Sequence, residues 1–377
     1  MLSDDRQLWR GCTTLFGLFA ILKGIHRPYP WGLTQAQIDY SQGFVKRGLQ
    51  GAVLNALHIH RYESLAVLFW LQYVAFLSAA IALGVSSRLE RKQGCAAIFA
   101  VLSGSYVLTY LTSIVGYTDL LLGTIAVCLL LLRSSGLRFA VSLFAVPTAM
   151  LIHENFLFLF FPVLLFSFVL DFWADSQHRA LGYGVALSGI ALALAALMSV
   201  HPALNLVQVQ QLQEHIKGQV DFSLQPEVFD VFSRSLRDNM AVTARASHDP
   251  AWRRQLVISF LALCPLLVML LYFNRKLLHS MRRHGQTSAP IWVIAAAMSA
   301  SLAPLLMYLL GWDCARWNVL TTLSAALIFL LLGRFAPETG VPLSTREIGV
   351  AVVLMAFGML TGGGFFGSFQ GNKFPFF

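Results

Sequence analysis

A polytopic helical membrane bundle is the fold class the sequence predicts, and three observations predict it. Of 377 residues, 57% are hydrophobic and 12% are charged, whereas an average soluble domain is about 25% charged and at most about half apolar. The mean hydropathy is +0.66. Apolar runs near the ~20 residues needed to cross a bilayer recur along the whole length. Residues 1–377 therefore read as a single integral membrane domain of all-α class. The net charge of +9 fits a lipid bilayer surface and needs no nucleic acid.

About eleven spans are expected. The first covers roughly residues 10–25, and an outer loop follows at 26–62. The second and third lie at roughly 63–85 and 95–115, and the fourth runs from Gly116-Tyr117-Thr118-Asp119 to Arg133. Two short apolar runs, 139–152 and 156–170, flank His153-Glu154-Asn155. Each is below the usual crossing length, so they read as two tilted spans or a re-entrant hairpin. The seventh span is roughly 180–200. A large outer loop, 201–255, follows. In it Val207, Leu212, Ile216 and Val220 recur at near-helical spacing, as do Val228, Phe232 and Leu236. That spacing predicts amphipathic helices on the membrane surface. Four spans close the chain, at roughly 256–273, 290–310, 319–333 and 348–366, and an aromatic tail starts at Gly371.

The first run lacks a small-x-small cleavage site and continues into His26-Arg27-Pro28, so it reads as a retained anchor. The five cysteines show no C-x-x-C spacing, which supports neither a disulfide framework nor a thiolate metal site. No cofactor or metal is implied.

Orientation follows from Lys and Arg in short loops. One set, including Arg88, Arg91, Lys92, Arg133, Arg275, Lys276, Arg282 and Arg283, is consistently basic; the opposite short loops carry only Arg316 and Lys373. That puts the N-terminus in the cytoplasm and loops 26–62 and 201–255 outside. In a bacterial inner membrane the outer face is periplasmic.

With this topology Asp39, Lys46, Arg47, Asp119, His153, Glu154, Asp313 and Arg316 all fall at outer ends of spans. Ionisable residues close to hydrocarbon are costly, so such a grouping marks a site. The stretch Asp39-Tyr40-Ser41-Gln42-Gly43-Phe44-Val45-Lys46-Arg47-Gly48-Leu49 sets a Lys-Arg pair between glycines. Glycines let backbone N–H groups approach a ligand, and the two cations suit phosphate oxygens. Each residue also has a plainer role. The Lys-Arg pair would anchor an interfacial helix, and Asp119 would cap the fourth span. His153-Glu154 would be a polar hairpin tip. Asp313 and Arg316 would pair on one turn. His58-Ile59-His60 reads as a surface histidine pair, and Pro147, Pro162, Pro265 and Pro304 as kinks.

An outward site of this kind suits transfer from a sugar linked to a polyprenyl phosphate or pyrophosphate, whose tail stays in the bilayer. Lys46, Arg47 and Arg316, with Asp119 and Asp313 beside them, would bind the donor and stabilise the leaving charge. Asp39, Glu154 or His153 would take the proton from an acceptor hydroxyl. Tyr40, Trp312 and Trp317 offer flat faces for sugars, and loop 201–255 would cover the site.

The layout resembles the GT-C superfold of polytopic glycosyltransferases and the O-antigen and exopolysaccharide polymerases. Those proteins carry many spans, an acid in the first outer loop and a large later outer loop. Asp39 stands where the first-loop acid would. The resemblance implies arginine-based, metal-free handling of pyrophosphate by Arg47 and Arg316. Gly43 to Leu49, His153-Glu154 and Gly311-Trp312-Asp313-x-x-Arg316-Trp317 also resemble membrane proteins of bacterial surface-polysaccharide clusters. The resemblance thus implies a polyprenyl-linked saccharide as substrate and other polysaccharide assembly proteins as partners. Two departures stand out. There is no D-x-D motif, and no soluble outer domain of the oligosaccharyltransferase kind.

Two rival readings use the same residues. A flippase for a lipid-linked saccharide, or a proton-coupled carrier, would titrate Asp39, Glu154 and Asp313. Transporters usually set such groups near the midplane within internal repeats, and no repeat is visible here. A non-catalytic subunit of a polysaccharide machine would need these residues only to pair with one another.

Overall fold

The computed structural model describes residues 6–88, 95–200, 204–234, 236–281, 289–311, 313–335 and 343–366. Among them all regular structure is helical. Helix α1 (Arg6–Gly24) leads to two short helices, α2 (Pro30–Ala36) and α3 (Gly48–Ala56), and then to α4 (Tyr62–Ser87). Helices α5 (Cys95–Ser103) and α6 (Tyr106–Ser113) form one broken rod, followed by α7 (Asp119–Leu131) and α8 (Ser135–Ile152). A tight reversal leads through α9 (Phe156–Leu159) into α10 (Phe161–Asp175) and α11 (Arg179–Val200). The long polar segment holds α12 (Leu206–Lys217), α13 (Glu227–Ser233) and α14 (Leu236–Ala246). Then come α15 (Pro250–Ser280), α16 (Ile291–Leu302), a 3-10 helix (Ala303–Leu309), α17 (Cys314–Phe335) and α18 (Thr345–Phe366).

Seven of these rods are long and apolar enough to cross a membrane: α4, α5 with α6, α8, α11, α15, α16 with the 3-10 helix, and α17. The chain is a membrane protein of helical class. Helices α1, α7, α10 and α18 occupy the other four places where spans are expected.

The bundle is built around α17. It is 89% buried over its span window, against 17% for α11, so α17 is the central post and α11 lies outside. A buried helix must satisfy its own polar groups. Thr321 and Thr322 do so by donating to Trp317 and Asn318 carbonyls at 2.7 and 2.9 Å. Helix α15 packs along α17, and Asn274 donates to the Ala325 carbonyl at 3.0 Å. At 31 residues α15 is about 46 Å long, so it outreaches a hydrocarbon core of about 30 Å.

Three local readings change. The run before His153 is longer than its apolar stretch, because Ser134 caps α8 by accepting from the Leu137 N–H at 3.3 Å. That brings α8 to 18 residues and crossing length. Pro162 and Pro304 sit in the first turns of α10 and the 3-10 helix. Pro162 starts α10, where a missing N–H costs nothing, whereas Pro304 lies inside the Ile291–Leu309 rod, where α-helix gives way to 3-10 helix. Pro147 and Pro265 do lie inside helices.

The third change concerns loop 201–255. Its apolar face packs on protein. Leu212 and Ile216 of α12, with Val228, Phe229 and Phe232 of α13, form a second small core with Ile38 and Val45 of the first polar loop. Val207 is exposed instead, and the side chain of Leu236 lies outside the described residues. Polar contacts reinforce the docking. The Gln225 N–H donates to Thr34 Oγ1 at 2.9 Å and the Tyr62 N–H to Asp221 Oδ1 at 2.7 Å.

Candidate functional site

The first polar loop is set by a close approach of two backbones. A Cβ on Gly51 would overlap the Ile38 carbonyl, so only glycine lets α3 lie against the end of α2. One turn beyond Gly51, Asn55 donates to Asp39 Oδ2 at 2.9 Å, while the Ser41 N–H donates to Oδ1 at 3.0 Å. Asp39 is 3% exposed. His215 of α12 approaches its Oδ2 with Nε2 at 3.7 Å. Beside them His60 bonds Gln37 Oε1 through Nδ1 at 2.8 Å. His58 is exposed. The buried carboxylate thus faces residues from both polar segments.

The other end of α3 carries the cations. Arg47 caps it in the left-handed conformation, φ 68°, an uncommon state for a non-glycine residue that needs support from its surroundings. That support comes from Glu154, 107 residues away. Arg47 Nε donates to Oε2 at 2.9 Å and Nη2 to Oε1 at 2.5 Å. Burial raises the Glu154 carboxyl pKa, but the Arg47 charge and hydrogen bonds, with the Lys46 charge, outweigh it. The net effect holds Glu154 well below the usual carboxylate range. Lys46 is half-buried, and no ion pair joins it to a carboxylate among the described residues. Its burial lowers the ammonium pKa, opposed by Glu154 and assisted by Arg47.

His153 ends α8 and is 1% exposed. Its Nδ1 accepts the Asn155 N–H at 3.2 Å, so the ring proton belongs on Nε2. Burial, then the Arg47 charge, pushes its pKa well below the ordinary histidine value, with Glu154 opposing. It is a neutral imidazole beneath Arg47, Lys46 and Arg316.

Arg316 does not pair with Asp313 through its side chain, as one-turn spacing suggests. Its guanidinium reaches Asp119 at the start of α7, with Nε to Oδ2 at 2.6 Å and Nη2 to Oδ1 at 2.8 Å. Asp313 instead caps α17. Its carbonyl accepts from the Trp317 N–H at 3.1 Å and its Oδ1 from the Arg316 N–H at 3.3 Å. Burial raises the Asp313 pKa against the charge of Arg316. Tyr117 and Trp317 flank the guanidinium at 5.0 and 4.9 Å, and Tyr110 points its hydroxyl at Asp313.

One expectation about aromatic faces changes here. Trp317 is 3% exposed and spends its ring on Arg316 and its Nε1–H on the Gly311 carbonyl, so it offers no face to a sugar. Trp312 lies outside the described residues. Tyr40 is half-buried and stacks on the exposed Phe44.

The predicted residues therefore fall into two neighbouring groups at one end of the bundle. Lys46, Arg47, His153, Glu154, Asp119, Asp313 and Arg316 form the inner one. Asp39 heads the outer one, bonded to Asn55, which stands about 12 Å along α3 from Arg47 by helix rise. Sequence reasoning missed Asn55, His215, Tyr110 and Tyr117. Asn55, eight residues beyond Arg47, gives no sign of its partner, and His215 looks like any polar residue on an amphipathic helix. It also missed a buried pair at the opposite bundle end, where Arg138 donates to Asp171 at 2.8 Å, to Ser167 at 3.0 Å and to the Leu132 carbonyl. Both ends of the rod cluster are thus pinned by buried arginines.

No family model matches the chain, and searches of curated proteins and of solved structures return no match.

Proposed function

We propose that the chain is a membrane glycosyltransferase or polymerase acting on a polyprenyl-phosphate- or pyrophosphate-linked sugar in surface-polysaccharide assembly. The reading takes eleven spans, with the N-terminus in the cytoplasm of a bacterial inner membrane and both polar loops on the periplasmic side. The observation that carries it is the coexistence, at the two ends of one short helix, of a Lys46 that no ion pair holds among the described residues and a caged Asp39. Lys46 meets the donor phosphate first. Arg47 then exchanges part of its grip on Glu154 for a phosphate oxygen, and Arg316 supplies positive potential from behind. Preorganised cations of this kind stabilise charge on a departing phosphate.

Asp39 serves as the base. Asn55 and the Ser41 N–H hold its oxygens, and the nearby His215 imidazole sets the charge around them. Glu154 is committed to Arg47 and acts as its counter-ion. His153 has its Nδ1 lone pair engaged, so it orders the reversal after α8 rather than taking a proton. The Asp39–Lys46 separation leaves room for a sugar ring between base and phosphate. Docked α12 and α13 roof the first loop and bound the acceptor entrance.

A proton-coupled carrier is the second reading, and the buried cluster of Asp119, Arg316, Asp313 and Tyr110 favours it. Reconstitution separates the two. Purified protein in proteoliposomes, given a radiolabelled polyprenyl-phosphate sugar and an oligosaccharide acceptor, transfers label, and Asp39→Asn lowers the rate at least ~100-fold while inserting normally. Label that crosses the bilayer without forming a new glycosidic bond replaces the transferase with the carrier.

A further inference from the structure

Gln50 lies in the first turn of α3, directly after the turn's cap Arg47 and its neighbours Gly48 and Leu49. From that position a glutamine side chain ordinarily reaches back to the N–H of the cap residue. Gln50 does not. It is 8% exposed, and neither its Oε1 nor its Nε2 finds a hydrogen-bond partner among the described residues. An amide enclosed with both ends vacant is costly, because a donor and an acceptor have lost water and nothing replaces it. Two more vacant groups stand at the same end of the bundle, Gln35 Nε2 on α2 and Thr118 Oγ1 beside Asp119. A close backbone approach joins their elements. A Cβ on Gly32, one turn before Gln35, would overlap the carbonyl of Gly116, just before Thr118.

The vacant amide discriminates between the groups that could face it. An ionised phosphate ester only accepts hydrogen bonds, so it would satisfy Nε2 and repel Oε1. A sugar hydroxyl both donates and accepts, so neighbouring hydroxyls on one ring satisfy both ends of the amide. Access follows from Arg47. It caps the same turn, is clasped to Glu154, and its side chain is only 16% exposed. A shift of Arg47 toward a phosphate oxygen opens that turn where the phosphate arrives.

We infer that Gln50 is a specificity-determining residue, whose amide reads the hydroxyls of a sugar attached to the phosphate at Lys46 and Arg47. The place of the phosphate rests on the proposed function, and the place of the sugar on the vacant amide. A site built to hydrogen-bond a hydroxyl rejects a ligand that lacks it, because its own buried groups then stay unpaired. Gln50 therefore separates a carrier lipid that bears a sugar from the bare lipid phosphate. In the free protein the vacant amide lowers stability, and the bound sugar relieves it. Replacing such a group should stabilise the fold while removing its function.

Native mass spectrometry and thermal melting of the purified full chain test the assignment. The probes are undecaprenyl phosphate and its glucose, galactose and mannose esters. Wild type should favour at least one sugar-bearing lipid over the bare phosphate by ~10-fold or more. Gln50→Met keeps the side-chain length and removes the amide, and Gln50→Leu repeats the change with another shape. Both should erase the preference, leave bare-phosphate adducts unchanged, and raise the melting temperature by ~2 °C or more. A wild type without preference overturns the assignment, as does a preference that survives both substitutions or an equal loss of all adducts. A lower melting temperature in both variants also overturns it, because an enclosed water would then already satisfy the amide. Sugar-dependent binding that both variants abolish, in a wild type that transfers no sugar, rejects the transferase and leaves the assignment standing.

Discussion

Arg316 and Asp119 stand 197 residues apart and form a two-point ion pair at 2.6 and 2.8 Å inside the bundle. Both are nearly fully buried. The pair ties the start of the central α17 to the start of α7 and seats a guanidinium between Tyr117 and Trp317.

Removing one partner strands the other charge. Asp119→Ala or Arg316→Ala alone should cost about 3–5 kcal/mol of stability. The double variant Asp119→Leu with Arg316→Met should recover most of that, because a buried pair is often replaceable by apolar groups. It should stay inactive, because the positive potential is gone. Chemical denaturation in detergent micelles checks the first part and the transfer assay the second. A fully active double variant would remove Arg316 from the site.

The pH response has two windows of the same sign. His153 titrates in the folded state well below its ordinary value, so below about pH 6.5 the unfolded chain binds the proton first. Stability is therefore full above that pH and falls as the medium acidifies. Glu154, also held low, adds a further loss once pH drops below about 4.3. Melting temperature followed from pH 8 to 4 should decline from about 6.5 in wild type. His153→Asn should delay the decline, and a decline that starts at the same pH in this variant contradicts the assignment.

Backbone contact at Gly51 is a sharper lever than its size suggests. Gly51→Val places a side chain into the Ile38 carbonyl. It should push α3 off α2 and release Asp39 from Asn55. Hydrogen exchange should rise across residues 37–56 with little change in α17, and transfer should fall with it. Unaltered exchange in that segment would show that the approach is not required.

These contacts also mark how far the sequence could be read. The helical bundle, seven of its expected spans and the shared end of the polar residues were legible because hydrophobic runs report directly on a bilayer. Lys46 and Arg47 stood out because flanking glycines and neighbouring apolar runs isolate them. Pairing was not legible. Arg316 lies one turn from Asp313, yet it chose an acid from another helix, since Asp313 was already capping the backbone. Arg47 and Glu154, or Asp39 and His215, are joined only by how α3, α8 and α12 pack. Loop 201–255 misled for a related reason. An amphipathic face tells that it is buried, not whether lipid or protein covers it, and Ile38 and Val45 supplied the protein.

Docking of that loop has its own test. Ile216→Asp buries a charge in the second small core, where Ile216 is now fully enclosed. It should detach α12 and α13 and expose 204–234 to protease. Spans should be unaffected, and transfer should drop as His215 leaves Asp39. In a background free of native cysteines, Gly218→Cys should label from the periplasmic face and Arg283→Cys should not. The reverse labelling would invert the topology.

The most direct measurement is a cryo-EM map of the protein in lipid nanodiscs with a polyprenyl-phosphate sugar bound, at a resolution that shows side chains. The account predicts the phosphate within hydrogen-bond distance of Lys46 and Arg47, Arg316 behind it, and the sugar turned toward Asp39. A donor whose phosphate lies at the opposite bundle end, near Arg138 or Arg346, with Arg47 still clasping Glu154, would contradict it.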